Sequence, residues 1–239
     1  MSYEIESKGP VDALKRMLFD NEIKDLFIDI TEMGIDSLLQ DKEEIIKSFP
    51  VMKTVYTSGK IIISIRDLFL TKKVMIFVQS VQKRSLSNTE ISKHVNQLKS
   101  DQARLNKELE IILTYLDRQT KYIKTVILAN FYLQYLAEII DWDEFDYFAE
   151  IVDAVSVYDL KVLKIVWDKN IIKEGEKYNP VSLQRLRNHG LVEYHDGVAV
   201  KKEEIVFPYI ASINEIGSYF CEYGMDGVWD MVMEHGIIV

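Results

Sequence analysis

Ser182-Leu183-Gln184-Arg185-Leu186-Arg187-Asn188-His189-Gly190-Leu191-Val192-Glu193 is a helix pattern stopped by glycine with a β-prone run after it. Tyr194-His195-Asp196-Gly197-Val198 then places an Asp-Gly turn between two short β-prone runs, the strongest local hairpin signal in the chain. Upstream, Asp159-Leu160-Lys161-Val162-Leu163-Lys164-Ile165-Val166 carries apolar residues at helical spacing. Ser156, with Asp159 three residues on, reads as the start of that helix. Downstream, Ile213 to Tyr223 is expected as a further helix, with Ile216, Tyr219 and Phe220 on one face and Gly224 as its stop.

Helix, ribbon and helix in this order make a winged-helix-like α+β module with a small β-hairpin, expected at 156–239. The remainder reads as a helical domain at 1–155, short N-terminal helices followed by a bundle of longer ones. Its class follows from composition: four prolines and ten glycines in 239 residues, with an apolar share of 48%, favour long helices and few irregular connections. The fold class expected is therefore mainly α.

A net charge of −9 argues against a chain whose main task is to neutralise a phosphate backbone. The segment 156–239 holds nine Lys/Arg against thirteen Asp/Glu, which disfavours nucleic acid further and suits an interaction module. The single cysteine, Cys221, can form no intrachain disulfide, and Met1-Ser2-Tyr3-Glu4 has neither a basic nor an apolar leader region. The cytoplasm is the expected compartment. The most apolar region, Phe49 to Val81, is interrupted by Lys53, Lys60, Arg66, Asp67, Lys72 and Lys73, short of the roughly 18 to 20 apolar residues that span a bilayer.

In chain order, Leu14, Met17 and Leu18 form one helical stripe and Ile23, Leu26, Phe27 and Ile30 the next, with a break at Glu32-Met33-Gly34-Ile35-Asp36. Leu38, Leu39, Ile45 and Ile46 continue an apolar face to Ser48-Phe49-Pro50. Pro50 can open a helix whose apolar positions are Val51, Val55, Ile62, Ile65 and Phe69, and Gly59 would allow close approach of a neighbour. Lys72-Lys73 introduces a separate short segment with Val74, Phe77, Val78 and Val81 inward. Ser87 and Glu90 form a capping-box pattern ahead of Ile91, Val95 and Leu98. The next stripe is Leu105, Leu109, Ile112, Leu113 and Leu116, with Lys107, Glu108, Asp117 and Arg118 on the wet side. Tyr122 to Ile140 is apolar around most of its circumference and is expected at the centre of the bundle.

The acid-rich Asp141-Trp142-Asp143-Glu144-Phe145-Asp146 lacks the glycine and glutamate of a calcium loop, and Asp141 as cap with Glu144 three residues on explains it as a helix start. His94, His189, His195 and His235 show no metal-ligand spacing. Cys221 lies in the apolar Ser218-Tyr219-Phe220-Cys221, where a buried inert thiol is expected rather than a nucleophile served by His189 or His195. No phosphate loop, dinucleotide turn or nucleophile elbow occurs. No cofactor, no metal and no catalytic residue is expected. Lys201-Lys202-Glu203-Glu204 is self-neutralising and reads as a solvated wing edge, and Arg185 with Arg187 is the only cationic pair on the helix that would enter a groove.

Two sets of residues carry a resemblance. Glu32-Met33-Gly34-Ile35-Asp36, Phe49-Pro50, Ser64-Ile65-Arg66-Asp67, Phe69-Leu70 and Lys72-Lys73 resemble the front half of a group of uncharacterised bacterial and prophage helical proteins. Phe148 to Val155, Asp159-Leu160, Ser182-Leu183, Gly190-Leu191-Val192 and Glu215-Ile216-Gly217-Ser218-Tyr219-Phe220 are similar to the abortive-infection alpha family of bacteria and prophages. That resemblance covers about a third of the chain, implies phage defence and brings no catalytic residues. Where the family has a segment between the first and the recognition-like helix, this chain has only Ile171 to Pro180. The expected function is binding of a host or phage protein without catalysis, and the alternative is a DNA-binding transcriptional regulator using 182–188. Arg185, Arg187, His189, Ile237, Ile238 and Val239 are the candidate interaction residues, and the apolar tail is expected to pack within a homodimer.

Overall fold

The computed structural model describes residues 9–20, 65–85, 89–172, 179–196, 199–201, 204–206 and 209–234. The expected elements at 21–48, the helix begun at Pro50, Gly59, the Ser87 cap and the tail residues Ile237, Ile238 and Val239 lie outside them. The chain divides into two compact units, 1–141 and 142–239. The boundary thus falls ahead of the one read at 155/156, and the helix after Asp141 goes with the C-terminal unit.

The N-terminal unit is helical throughout its described residues: α1 (Pro10–Phe19), α2 (Ile65–Ser85), α3 (Thr89–Ser100), α4 (Gln102–Arg118) and α5 (Tyr122–Leu136). Helix α1 starts on Pro10, where a missing N–H costs nothing, and buries Ala13, Leu14, Met17 and Leu18 against α4 and α2. Helix α5 packs along α2 and buries eleven of its fifteen residues, which is what an all-round apolar sequence requires. Phe131, Tyr132 and Tyr135 are among the largest fully buried side chains. It ends at Leu136 rather than at Ile140, and Glu138 follows in the left-handed region at φ 56°.

Further expectations for this unit are corrected. Helix α2 runs unbroken through Lys72-Lys73 instead of restarting there. Lys73 lies in the core with Val74, Phe77, Val78 and Val81, and its Nζ donates to the carbonyls of Asp117 (3.1 Å) and Gln119 (2.9 Å), in the last turn and at the C-terminal cap of α4. A lysine that satisfies the open carbonyls of a neighbouring helix end need not face water. Phe69, expected inward, is exposed and stacks on Tyr122 at 6.3 Å.

Glu108, read as solvent-facing, is found buried on α4. It accepts from Arg104 Nε at 2.7 Å and from the Tyr135 hydroxyl at 2.9 and 3.0 Å, while Arg104 Nη2 donates to the same hydroxyl at 3.0 Å. A carboxylate so supplied stays in an apolar setting because its lone pairs are filled. Burial, followed by the nearby Glu108 charge, pushes the Tyr135 hydroxyl well above its ordinary pKa. On α3, His94 packs edge-on against the Tyr135 ring at 5.0 Å and places Nδ1 3.2 Å from Glu138 Oε1.

The C-terminal unit begins with α6 (Trp142–Ala154) and α7 (Val157–Lys169), followed by β1 (Ile171–Ile172), α8 (Pro180–Asn188), β2 (Val192–Asp196), β3 (Ala199–Lys201), β4 (Glu204–Val206) and β5 (Tyr209–Ile213). It closes with α9 (Glu215–Tyr219), a π-helical turn (Phe220–Gly224) and α10 (Trp229–Glu234). Strands β1, β5 and β2 form an antiparallel sheet in that order, and β3 pairs with β4. The hairpin expected across Asp196-Gly197 is therefore not made by β2 and β3. Strand β2 pairs along its length with β5, from Val192↔Ile213 to Asp196↔Tyr209, and the local hairpin is β3–β4, closed at Lys201↔Glu204. Of the four residues read as a wing edge, Lys201 ends β3 and Glu204 starts β4, while Lys202 and Glu203 lie outside the described residues. The helix expected through Tyr223 changes to π geometry at Phe220, and Tyr219 is exposed while Phe220, read on the same face, is buried.

Candidate interaction surface

Helix α8 is set by its ends. Asn179 caps it, accepting from Val181 N at 2.9 Å, Pro180 occupies the first turn, and Gly190 turns the chain into β2 at φ 71°. Ser182, Leu183 and Leu186 are buried, and α8 packs on α7 and β2. The face left to solvent holds Val181, Gln184, Arg185, Arg187 and Asn188.

The two arginines of that face are already engaged. Arg185 donates Nε and Nη2 to the two oxygens of Asp159, at 2.9 and 2.6 Å, and Nη2 also reaches Ser182 Oγ at 3.2 Å. Asp159 is buried in the first turn of α7, where Ser156 caps the helix and donates its hydroxyl to Asp159 Oδ2 at 2.7 Å. Burial opposes ionisation of Asp159, but the hydrogen bonds from Arg185, Ser156 and Ser182 outweigh it and hold its carboxyl below the usual range. The pair locks α8 to the start of α7. Arg187 stacks its guanidinium over the Tyr194 ring at 4.8 Å.

His189, the third candidate, is the C-terminal cap of α8 and donates its backbone N–H to Arg185 O at 3.0 Å. His195 lies on β2 opposite Ile210. Cys221 sits buried in the π-helical turn, where burial pushes its thiol pKa far up. Asn214, which the sequence did not single out, joins the two ends of this region: its Nδ2 donates to Gly190 O and its Oδ1 accepts from Gly217 N, each at 2.8 Å. Asp159 was legible only as a helix-start residue, since nothing in the spacing of positions 159 and 185 announces a pair.

What remains open on α8 is a strip without an uncommitted cation. Val181 is 57% exposed, and Gln184 bonds Asn188 at 2.9 Å along the helix. Tyr158 is likewise exposed on α7. No group of three or more His, Cys, Asp or Glu able to hold a metal occurs among the described residues. No helix among them is long and apolar enough to cross a membrane. No protein-family model, no curated protein and no solved structure matches this chain.

Proposed function

We propose that the chain binds another protein without catalysis, through a winged-helix-like C-terminal unit whose partner sits on the exposed side of α8. The carrying observation is the commitment of Arg185 to the buried Asp159. A groove-reading helix needs free cations for phosphates, and withdrawing Arg185 would strand a carboxylate in the core. The strand order β1-β5-β2 with α8 directly ahead of β2 supports the winged-helix reading. The phage–host setting rests on the resemblance of Phe148 to Val155, Gly190-Leu191-Val192 and Glu215 to Phe220 to the abortive-infection alpha family. In this reading two copies pair through the apolar ending Ile237-Ile238-Val239.

The test is a pull-down from infected and uninfected cells with the full chain and its Val181→Asp variant. A protein recovered by the wild type and lost by the variant supports the reading. An identical set of recovered proteins overturns it. A DNA-binding regulator is the second reading, favoured by the same strand order. Specific DNA binding with a steep salt dependence would install it instead. Light scattering across a wide concentration range decides the dimer, and a mass fixed at 27.9 kDa removes it.

A further inference from the structure

Within the C-terminal unit, the solvent side of α6 carries Asp143, Tyr147, Glu150 and Ala154, all exposed and spaced four, three and four residues apart, which makes them one stripe. Tyr147 is its centre. The ring is 43% exposed, but it is not loose: it packs on Phe148 at 5.7 Å, and its hydroxyl lies over Gly190, 3.4 Å from where a Cβ there would stand. A half-exposed aromatic held in place is the kind of residue that dominates protein interfaces.

Four other aromatic faces among the described residues are covered by the chain's own cations: Tyr122 by Lys72, Trp229 by Lys164, Phe19 by Lys99 and Tyr194 by Arg187. Tyr147 has no such cation among the described residues, and α6 has none to offer, since its thirteen residues contain no Lys or Arg. Carboxylates stand on either side of the ring, Asp143 one turn before and Glu150 one turn after, on a stripe where neighbouring Cβ atoms are about 5–6 Å apart. The surrounding field has the same sign. Residues 1–141 hold 20 Lys/Arg and 20 Asp/Glu, whereas 142–239 hold 9 and 18, so the whole net charge of −9 resides in the C-terminal unit.

From this arrangement we infer that the Tyr147 stripe is a docking surface for an arginine side chain on a basic protein partner. The guanidinium plane lies on the ring, and its N–H groups reach the Asp143 or Glu150 carboxylate. Arginine suits the site better than lysine because it stacks and forks at once. The hydroxyl of Tyr147 over Gly190 makes the stripe continuous with the end of α8, so the inference deepens the protein-binding reading and rests on it.

The probe is a hexa-arginine peptide, compared with hexa-lysine, titrated into the full chain at low ionic strength (about 20 mM), where exposed charges are least screened. Hexa-arginine is expected to bind more tightly than hexa-lysine. The affinity should fall about tenfold in Tyr147→Ala and again in Asp143→Asn/Glu150→Gln, and hold in Tyr147→Phe, which keeps the ring. Absence of binding overturns the inference. So does an equal affinity in wild type and Asp143→Asn/Glu150→Gln, which would mean diffuse attraction to the net charge, and so does a loss confined to the carboxylate variant. The two failures are distinguishable: an unchanged pull-down with Val181→Asp overturns the α8 reading on which this inference rests, whereas a failed peptide titration overturns the Tyr147 site alone.

Discussion

Asp159 and Arg185 meet through two hydrogen bonds of 2.6 and 2.9 Å across 26 residues of sequence, with the carboxylate buried and the guanidinium partly exposed. Because the folded chain holds the Asp159 carboxyl below its unfolded value, the pair contributes stability that is fully present above the unfolded pKa of about 4 and is lost as pH falls through the lower folded value. Asp117 adds in the same direction: its hydrogen bond from Arg66 lowers its carboxyl against the opposing effect of burial. Asp159→Asn should therefore melt at a lower temperature than wild type at pH 7, with the gap closing as pH drops below about 4. Thermal melts of both proteins between pH 7 and 2.5 measure it, and parallel curves would show that Asp159 does not contribute in this way.

Geometry should matter at Arg185 beyond charge. Arg185→Lys keeps the cation but cannot supply the fork, so it should lower the melting temperature by less than Arg185→Gln and by more than nothing. Equal melting of wild type and Arg185→Lys would reduce the interaction to a point charge.

The core helix α5 makes the largest stability prediction. Phe131→Ala and Leu133→Ala each remove a buried side chain and should cost about 2 to 5 kcal/mol, read by urea titration. Near-neutral results for both would mean that this helix is not the centre of the unit.

Tyr135→Phe keeps the ring and removes one hydroxyl, leaving Glu108 with Arg104 as its remaining donor in the network above. A cost of about 1 to 3 kcal/mol is expected, the range for a buried polar group deprived of a partner. Converting Glu108 to Gln in the Tyr135→Phe background should recover part of it, because a neutral amide costs less than a carboxylate to leave short of a donor, and the half-exposed Arg104 can turn to water. Urea titration of the double variant tests that recovery, and a further loss would contradict it.

Gly217 should tolerate no side chain. A Cβ there would stand 1.9 Å from Leu191 O, a backbone atom, so Gly217→Ala must displace either α9 or the residue ahead of β2. Destabilisation of at least about 1 to 3 kcal/mol is expected, and a wild-type melting curve would mean that the two backbones are not this close.

Much of the fold was legible because local signals and packing agree. The stripes Leu14, Met17, Leu18 and Leu105, Leu109, Ile112, Leu116 are buried as their spacing implies, and Ser156 caps α7 as its spacing with Asp159 implies. What escaped the sequence lies in contacts between distant positions. Glu108 reads as wet because charge usually is, and the Tyr135 hydroxyl 27 residues away helps turn it inward, while Lys73, read only as opening a segment, is held by carbonyls 44 and 46 residues on. The Asp-Gly signal suggested a neighbour for β2, yet β5 competes successfully with a five-residue register. The end of α5 was misjudged because no glycine or proline marks it, and Glu138 takes the left-handed turn instead. On the candidate surface, Arg185 and Arg187 were correctly placed on one helix, but their engagement by Asp159 and Tyr194 depends on tertiary structure alone.

The π-helical turn at Phe220–Gly224 has a consequence for insertions and deletions. Met225 N reaches back five residues to Phe220 O at 3.2 Å, so this turn holds one residue more than an α-turn would. Removing an exposed residue such as Glu222 would let the backbone relax to α geometry with little local harm. The relaxed turn would still make one full revolution, so the direction in which the chain leaves it would be kept. Val228 and Val232, buried beyond the turn, would then stay buried, and Met231 and Met233 would stay exposed. The extra residue is thus one that the turn absorbs without passing it on: deletion of 222 should be tolerated far better than deletion of a residue inside an α-helix such as α7.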